Sequence, residues 1–225
     1  FLDDDYPQRL KHCVDSPIVL YSKGKGSINP AKAVSIVGTR NATRQGKEIT
    51  EQIVEQLAQL DVTVVSGLAY GIDIAAHRAC LKYNVPTIGC LAHGLDRIYP
   101  KVHTNTAKEM LALGALITDF PIGTKPDREN FPKRNRIVAG MTDATIVVEA
   151  GIKGGALITA ELANGYDRDV FAVPGRVDDQ YSAGCHRLIM SHKAALITSG
   201  KDVLKALGWD DEKGKSKPQP QTKLL

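Results

Sequence analysis

Residues 33–40 read Ala-Val-Ser-Ile-Val-Gly-Thr-Arg, a mostly apolar run that leads directly into a glycine and an arginine. Runs of this kind are typical of a strand that helices cover on both faces. Similar runs follow along the chain, and together they predict a largely buried sheet. The other predicted strands are residues 62–66, 87–91, 115–119, 145–149, 169–173 and 195–197, with 18–21 as a possible edge strand.

Helical patterns separate these strands. After Thr43, a suitable N-cap, apolar residues recur at Ile49, Ile53 and Leu57, which is the spacing of one helical face. Residues 73–81 are rich in alanine, which suits a helix lying close to a sheet. Strands that alternate with helices form βαβ units, so the predicted fold class is a doubly wound α/β domain with a mostly parallel sheet.

Composition sets bounds on the class of protein. Of 225 residues, 43% are hydrophobic and 24% are charged, and the net charge is +4, which permits nucleic-acid binding without requiring it. The four cysteines, at positions 13, 80, 90 and 185, form no closely spaced pair, which favours reduced thiols in a cytoplasmic protein. We predict no metal site and no membrane span, because neither a ligand spacing nor an apolar run of about 20 residues occurs.

Glycine-rich segments follow four of the predicted strands. They are residues 38–40, 66–71, 92–94 and 151–155. In open parallel sheets such segments share one edge, where main-chain N–H groups at helix starts can bind anions. Arg40 and Lys153 add positive charge, so we predict a phosphate-binding rim. For any single segment, the alternative is a glycine that merely permits a tight turn.

A basic segment with one aromatic residue lies later in the chain. Residues 131–136 read Phe-Pro-Lys-Arg-Asn-Arg, and they follow Lys125 and Arg128. Cations for phosphates and a ring for base stacking are the two parts of a single-strand nucleic-acid site. The alternatives are a charged helix start that faces water, a core position for Phe131, and an arginine that anchors the segment to a carboxylate such as Glu149.

Enzymatic motifs are absent from the sequence. The glycine patterns of dinucleotide sites and of P-loops do not follow any predicted strand, and Ser66 does not lie in a nucleophile elbow. Asp73 and His77 are four residues apart on one predicted helix and could form a hydrogen-bonded dyad, although a helix-stabilising pair is the simpler interpretation. We therefore predict no catalytic residues and no cofactor.

Several motifs in a fixed order resemble the DprA/Smf family of bacterial DNA-processing proteins. The resemblance covers most of the chain. It rests on Ser-Ile-Val-Gly-Thr-Arg at 35–40, Val-Ser-Gly-Leu-Ala-Tyr-Gly-Ile-Asp at 65–73, Gly-Leu-Asp at 94–96, Tyr-Pro at 99–100, Phe-Pro-Lys-Arg-Asn-Arg-Ile-Val-Ala-Gly at 131–140, Val-Glu-Ala at 148–150 and Ala-Val-Pro-Gly at 172–175. The chain departs from the expected pattern at residues 154–156, where Gly-Gly-Ala stands in place of Ser-Gly-Ser.

The resemblance implies an extended Rossmann-like domain that binds single-stranded DNA without being an enzyme. Such proteins protect incoming DNA in natural transformation, help load the recombinase RecA and form homodimers. We expect a lead-in segment at 1–30, the Rossmann-like domain at 31–209 and a polar tail at 210–225. The dimer contact would involve Leu188, Ile189 and Leu196, unless these residues fill the core instead.

The predicted DNA-binding residues combine the glycine-rich segments with the basic segment. They are Gly38, Thr39, Arg40, Ser66, Gly67, Gly94, Lys101, Arg128, Phe131, Lys133, Arg134, Asn135, Arg136, Lys153, Gly154 and Gly155. The alternative function is that of a Rossmann-like phosphoribohydrolase or another nucleotide-binding enzyme, whose catalytic glycine pattern the segment at 151–159 does not reproduce.

Overall fold

A computed structural model describes residues 1–210 of the chain. Eight strands form one sheet in the order β1-β5-β4-β3-β2-β6-β7-β8, in which only β1 runs antiparallel to its neighbour. The strands are β1 Tyr21–Gly24, β2 Ala33–Val37, β3 Thr63–Ser66, β4 Thr87–Cys90, β5 Ala115–Thr118, β6 Ala144–Val147, β7 Asp169–Ala172 and β8 Ala195–Leu196.

Helices cover both faces of this sheet. They are α1 Gln8–Lys11, α2 Arg44–Leu57, α3 Ile72–Lys82, α4 Thr104–Met110, α5 Asn130–Gly140, α6 Gly155–Gly165, α7 Ala183–Met190 and α8 Gly200–Ala206, with a 3-10 turn at Lys101–His103. One core cluster joins the sheet to α5, α6 and α7, and a second joins it to α2, α3 and α8. A doubly wound, mostly parallel α/β fold is therefore confirmed.

The strand order places a topological switch point beside β2. From β2 the chain proceeds outwards through β3, β4 and β5, whereas β6, β7 and β8 extend the sheet in the opposite direction. The crevice between the segments that follow β2 and β6 is where open parallel sheets bind ligands.

The predicted strands agree with the structure within two residues, except at the edge. The possible edge strand at 18–21 is wrong in its bounds, because β1 pairs its residues Tyr21–Gly24 with the four residues of β5. Ile18 and Val19 lie outside this register and are 79% and 53% exposed. Gly24 has a φ of 144°, and a side chain there would overlap the carbonyl oxygen of Gly114.

The helices that the sequence predicted after Thr43 and in the alanine-rich stretch are also present. The Thr43 hydroxyl accepts a hydrogen bond from the Gly46 N–H at 2.9 Å, so the predicted N-cap of α2 is confirmed. The alanine-rich stretch forms α3. The first 30 residues, the predicted lead-in, contribute Tyr6 and Leu10 to the core as well as β1 to the sheet. Apart from Asp210, the predicted tail at 210–225 lies outside the described residues.

Candidate nucleic-acid interface

A pocket opens at the carboxyl edge of the sheet, where the segments after β2, β3 and β4 meet the first turn of α5. We refer to it as the aromatic pocket. It is lined by Arg40, Gly67, Ala69, Tyr70, Leu91, Ala92, His93, Tyr99, Pro100 and Phe131. Three predicted binding residues, Arg40, Gly67 and Phe131, are thereby brought together from positions as far apart as 40 and 131. Their meeting follows from the parallel strands, whose carboxyl ends share one edge.

Arg40 and Phe131 form the centre of this pocket. The guanidinium carbon of Arg40 lies 5.0 Å from the centroid of the Phe131 ring, within the range of a cation–π contact. Arg40 is exposed and Phe131 is half-buried, so both remain accessible from solvent. The contact places a positive charge beside an aromatic face, which is the combination that a nucleotide unit of a single strand requires.

Two tyrosines, which the sequence analysis did not select as binding residues, extend the aromatic surface. The Tyr99 ring centroid lies 6.1 Å from that of Phe131, and Tyr70 packs edge-on against His103 at 5.0 Å. Tyr70 and Tyr99 are 50% and 47% exposed, although large aromatic side chains are usually more buried. Tyr99 precedes a cis peptide bond to Pro100. Its position in a Tyr-Pro turn beside glycine-rich segments was the signal available in the sequence.

Ser66 and Arg134 lie beneath the pocket rather than in it, which corrects the expectation that they contact DNA directly. The Ser66 hydroxyl donates to the carbonyl of Ile36 at 2.6 Å, and its side chain is buried. Arg134 is 4% exposed, and its Nη1 donates to the carbonyl oxygens of Gly67 and Cys90. Since both side chains are buried and bond main-chain carbonyls, these residues support the segments that form the pocket.

The side-chain carboxylate of Glu149 lies at the topological switch point. Glu149 accepts hydrogen bonds from the main-chain N–H of Thr43 at 2.9 Å and from its hydroxyl at 2.5 Å, at the start of α2. Glu149 is 7% exposed. In dinucleotide-binding domains the pyrophosphate occupies the start of the helix that follows the first strand of the βαβ unit. A carboxylate there competes with such an anion, which disfavours an ordinary dinucleotide site.

The segment that follows β2 packs closely against Glu149 and α3. The Thr39 N–H donates to the main-chain carbonyl of Glu149 at 2.7 Å, and a side chain at Gly38 would overlap Ile72. Gly38 and Thr39 thus shape the segment that presents Arg40. The alternative that an arginine of the basic segment anchors it to a carboxylate holds for Arg136, which pairs with Asp119 at 2.5 Å and not with Glu149. Arg134 instead bonds main-chain carbonyls.

A second buried carboxylate lies at the start of α3. Asp73 is 8% exposed, and a side chain at Gly67 would overlap both the Asp73 carboxylate and the Arg134 guanidinium. Burial raises the pKa of Asp73 above its ordinary value, while the charge of Arg134 acts in the opposite direction. The possible Asp73–His77 dyad, which the sequence analysis did not favour, does not form: His77 Nδ1 bonds the Thr87 hydroxyl at 2.8 Å, and His77 Nε2 has no hydrogen-bond partner among residues 1–210.

The other predicted cations do not line the aromatic pocket: Lys101, Lys133 and Lys153 each border a different groove. Lys101, Arg128, Lys133 and Lys153 are exposed, whereas Arg136 is half-buried in its ion pair with Asp119. The Asn135 amide donates to the carbonyl of Gly155 at 3.3 Å and so joins α5 to α6. Gly94 is buried, and its N–H bonds the carbonyl of Thr124 at 3.1 Å.

The start of α6 remains open to ligands. Gly154 is the N-cap without a side-chain hydrogen bond, and Gly155 and Lys153 are exposed beside it. These residues line a groove that Arg187 and Lys193 also border. Lys153 and Arg187 give the groove positive charge, whereas Lys193 pairs with Glu161 at 2.8 Å. Positive charge at the start of a helix favours a phosphate. Contact of residues 153–155 with DNA stays a prediction.

Leu188, Ile189 and Leu196 differ in their surroundings. Leu188 is 3% exposed and belongs to the core, and Ile189 packs partly against the same cluster. Leu196 lies on the edge strand β8 and is 52% exposed. The structure therefore favours a core role for Leu188, whereas Leu196 is accessible to a partner.

Metal-ligating groups, membrane-spanning helices and cysteines were also searched for in residues 1–210. Across residues 1–210, no group of three or more His, Cys, Asp or Glu side chains is arranged to hold a metal ion. Within the same range, none of the helices is both long enough and apolar enough to cross a membrane. The four cysteines are free thiols and are all buried.

The fold and the site define a class: a Rossmann-like α/β protein with a basic and aromatic carboxyl edge and with carboxylates where a dinucleotide would bind. The family model described as DNA recombination-mediator protein A matches residues 1–208. The chain belongs to this family, which includes the proteins called DprA and Smf.

Individual relatives agree with this assignment. The chain is 43% identical over 210 residues to Protein Smf of Synechocystis, covering 92% of this chain and 52% of the relative. It therefore spans about half the length of such curated relatives. The X-ray structure of DprA from Streptococcus pneumoniae matches with a TM-score of 0.87 and 40% identity, covering 91% of this chain and 72% of that one.

A second solved structure connects the fold with a ligand. DNA processing protein A from Helicobacter pylori, described for its single-stranded DNA binding mode, matches with a TM-score of 0.83 and 29% identity. The match covers 91% of this chain and 93% of that chain. The resemblance that the sequence motifs indicated is confirmed.

Proposed function

We propose that this protein binds single-stranded DNA along the carboxyl edge of its sheet, with little base specificity. The observation that carries the proposal is the contact of Arg40 with Phe131 inside the aromatic pocket. An arginine beside accessible rings can bind a phosphate while the rings stack on bases, whatever the sequence of the strand. The relative from Helicobacter pylori, described as binding single-stranded DNA, supports this assignment.

The exposed cations extend the proposed path beyond the pocket. Lys101 follows the Tyr99–Pro100 turn, and Lys133 lies two residues after Phe131 on α5. Each phosphate that such a cation neutralises releases counterions, so binding should weaken steeply as salt is raised. We propose Lys101, Arg128, Lys133 and Lys153 as phosphate contacts and Ser66 and Arg134 as supporting residues.

We also propose that the protein is not an enzyme. The starts of α2 and α3 hold Glu149 and Asp73 where a phosphohydrolase or dinucleotide enzyme would place substrate phosphates. Arg134 and the Thr43 hydroxyl are committed to internal hydrogen bonds. The rival function, a phosphoribohydrolase or nucleotide-binding enzyme, would require those positions to be free.

One pair of assays separates these functions. Fluorescence anisotropy with labelled oligo-dT should show binding, and incubation with nucleoside monophosphates should release neither base nor phosphate. Release of a free base at a rate that depends on enzyme concentration, together with no binding of oligo-dT, would establish the rival function.

The wider role is proposed from the family. We propose that the protein acts in the cytoplasm during natural transformation, protects incoming single strands and helps load RecA onto them.

We propose a homodimer in which the exposed edge around Leu196 pairs with its equivalent in a second copy, an isologous arrangement. Light scattering of Leu196→Lys should then show a folded monomer, and an unchanged mass for wild type and variant would exclude this edge.

A further inference from the structure

A groove at the end of the sheet opposite to β8 is lined by lysines from three different elements. Lys23 lies on the edge strand β1, Lys101 on the 3-10 turn and Lys108 on α4. All three are exposed, and none forms an ion pair within residues 1–210. We refer to this site as the basic groove. Its volume of about 410 Å³ is within the range of pockets that receive ligands.

The protein itself does not neutralise the charge of the basic groove. Within residues 1–210, Asp96 is the one carboxylate that lines it. The Asp96 Oδ2 pairs with Arg97 at 2.6 Å, and its Oδ1 accepts a hydrogen bond from the Gly123 N–H at 3.0 Å, so both oxygens have partners. The three lysines therefore leave an excess of positive charge, which attracts an acidic partner.

The floor of the basic groove is aliphatic. Leu116 of β5 is 4% exposed and belongs to a core cluster, and the other apolar side chains of the groove pack against that cluster while remaining partly accessible. They are Leu95, Ile98 and Leu111. Accessible aliphatic side chains within a polar rim are typical of a surface on which another protein buries its own apolar side chains.

The lining distinguishes the basic groove from a site for single-stranded DNA. A single strand stacks its bases on aromatic rings, which the aromatic pocket provides, whereas none of the described residues that line the basic groove is aromatic. An extended peptide in which acidic and apolar residues alternate presents carboxylates on one face and apolar side chains on the other. Such a peptide suits both the lysines and the aliphatic floor.

We propose that the basic groove is a docking site for an acidic segment of a partner protein. The apolar side chains of this segment contact the aliphatic floor, and its carboxylates pair with Lys23, Lys101 and Lys108. The proposal goes beyond DNA binding and does not depend on it. Because Lys101 follows the Tyr99–Pro100 turn of the aromatic pocket, a docked partner would be held next to the proposed DNA site.

Three labelled peptides test the proposal on the unaltered protein. In the first peptide aspartate and leucine alternate, in the second serine replaces each leucine, and in the third lysine replaces each aspartate. Fluorescence anisotropy should show binding of the first, binding of the second that is weaker by about tenfold or more, and no binding of the third. No binding of the aspartate–leucine peptide, or equal affinity for any two of the peptides, would overturn the proposal.

Charge-reversing variants locate the bound peptide. Lys23→Glu combined with Lys108→Glu changes two lysines that the proposed DNA site does not use, and it should bind the aspartate–leucine peptide about tenfold more weakly. The matched control combines Lys47→Glu with Lys205→Glu, at exposed positions on α2 and α8, and should bind this peptide as the wild type does. Equal losses in the two double variants would contradict the proposal, because total charge would then determine binding.

Oligo-dT separates the basic groove from the proposed DNA site. The two double variants should bind oligo-dT with equal affinity, whatever that affinity is. A greater loss of oligo-dT binding in Lys23→Glu with Lys108→Glu would show that the groove holds a DNA strand, and the proposal would be wrong. The peptide comparison uses the wild-type protein and therefore remains decisive if a variant does not fold.

Discussion

Arg40 makes the contact on which the account of the site depends most directly. Its main chain is fixed by neighbours, since Thr39 bonds both Glu149 and the N–H of Ile72, while the Arg40 side chain extends to Phe131. Removing this side chain therefore alters the pocket without disturbing the fold. We expect Arg40→Ala to weaken binding of oligo-dT by about 1.5–3 kcal/mol, the range for hydrogen bonds to charged groups.

The matched control for this prediction is Arg44→Ala. Arg44 is exposed, lies four residues further on and pairs with Glu48 on the surface of α2. The Arg44→Ala variant should bind oligo-dT as the wild type does. Equal losses in the two variants would mean that total charge, and not the position of Arg40, determines affinity.

Phe131 should contribute through stacking and not through charge. We expect Phe131→Ala to lose about 1–3 kcal/mol of binding while the slope of log K against log salt remains unchanged, because no phosphate contact is removed. Phe131→Leu keeps apolar volume and tests the alternative of core filling. If Phe131→Ala unfolds at a much lower temperature while Phe131→Leu is stable and binds normally, the ring has a packing role only.

At the scale of the element, the single helix α5 carries both side chains that are accessible to DNA and side chains that support the pocket from within the protein. Its side chains point in different directions because successive residues turn by about 100°. Lys133 is exposed, whereas the next residue, Arg134, is buried against the carbonyls of Gly67 and Cys90. Neighbouring cations of the same sequence motif therefore have different tasks.

This division predicts opposite results for two adjacent substitutions. Lys133→Ala should reduce the salt slope of binding by about one unit and leave stability within about 0.5 kcal/mol. Arg134→Met should lower the free energy of unfolding by about 1–3 kcal/mol, because the carbonyls of Gly67 and Cys90 would lose their buried donor. Urea unfolding and salt titration of both variants measure these quantities. Normal stability of Arg134→Met would show that this arginine does not support the pocket.

Sequence patterns predicted elements better than the orientation of side chains. Apolar runs and the Thr43 cap located the strands and α2, since both signals are local. The sequence could not show that Ser66 and Arg134 point inwards, because burial depends on how helices pack across the sheet. Glu149 was missed as the occupant of the switch point for the same reason, its partner Thr43 being 106 residues distant. Tyr70 and Tyr99 became binding candidates through their exposure beside the pocket, which depends on the packing of distant segments.

At the scale of the whole molecule, buried histidines link stability to pH. Burial lowers the pKa of His77 to about 3, and its Nδ1 is bonded to Thr87. The unfolded chain takes up a proton near pH 6.5 and the folded chain does not, so stability falls as pH decreases from about 6.5 to about 3. The lowered pKa of His93 acts in the same direction.

We expect the free energy of unfolding to fall by about 2 kcal/mol between pH 7 and pH 5 through His77 alone. His77→Asn retains a donor for the Thr87 hydroxyl and does not titrate, so it should lose this part of the pH dependence. Urea unfolding at the two pH values measures the difference. Identical pH dependence in wild type and His77→Asn would show that other groups are responsible.

The central claim is that the carboxyl edge of the sheet binds single strands through phosphates and rings together. The most direct measurement is the affinity for a labelled oligo-dT, alone and annealed to oligo-dA, at a series of salt concentrations. Accessible rings can stack only on unpaired bases, so we predict tighter binding of the single strand at every salt concentration and a steep loss of affinity as salt rises. Equal affinity for single strand and duplex, or binding that salt does not affect, would contradict the account.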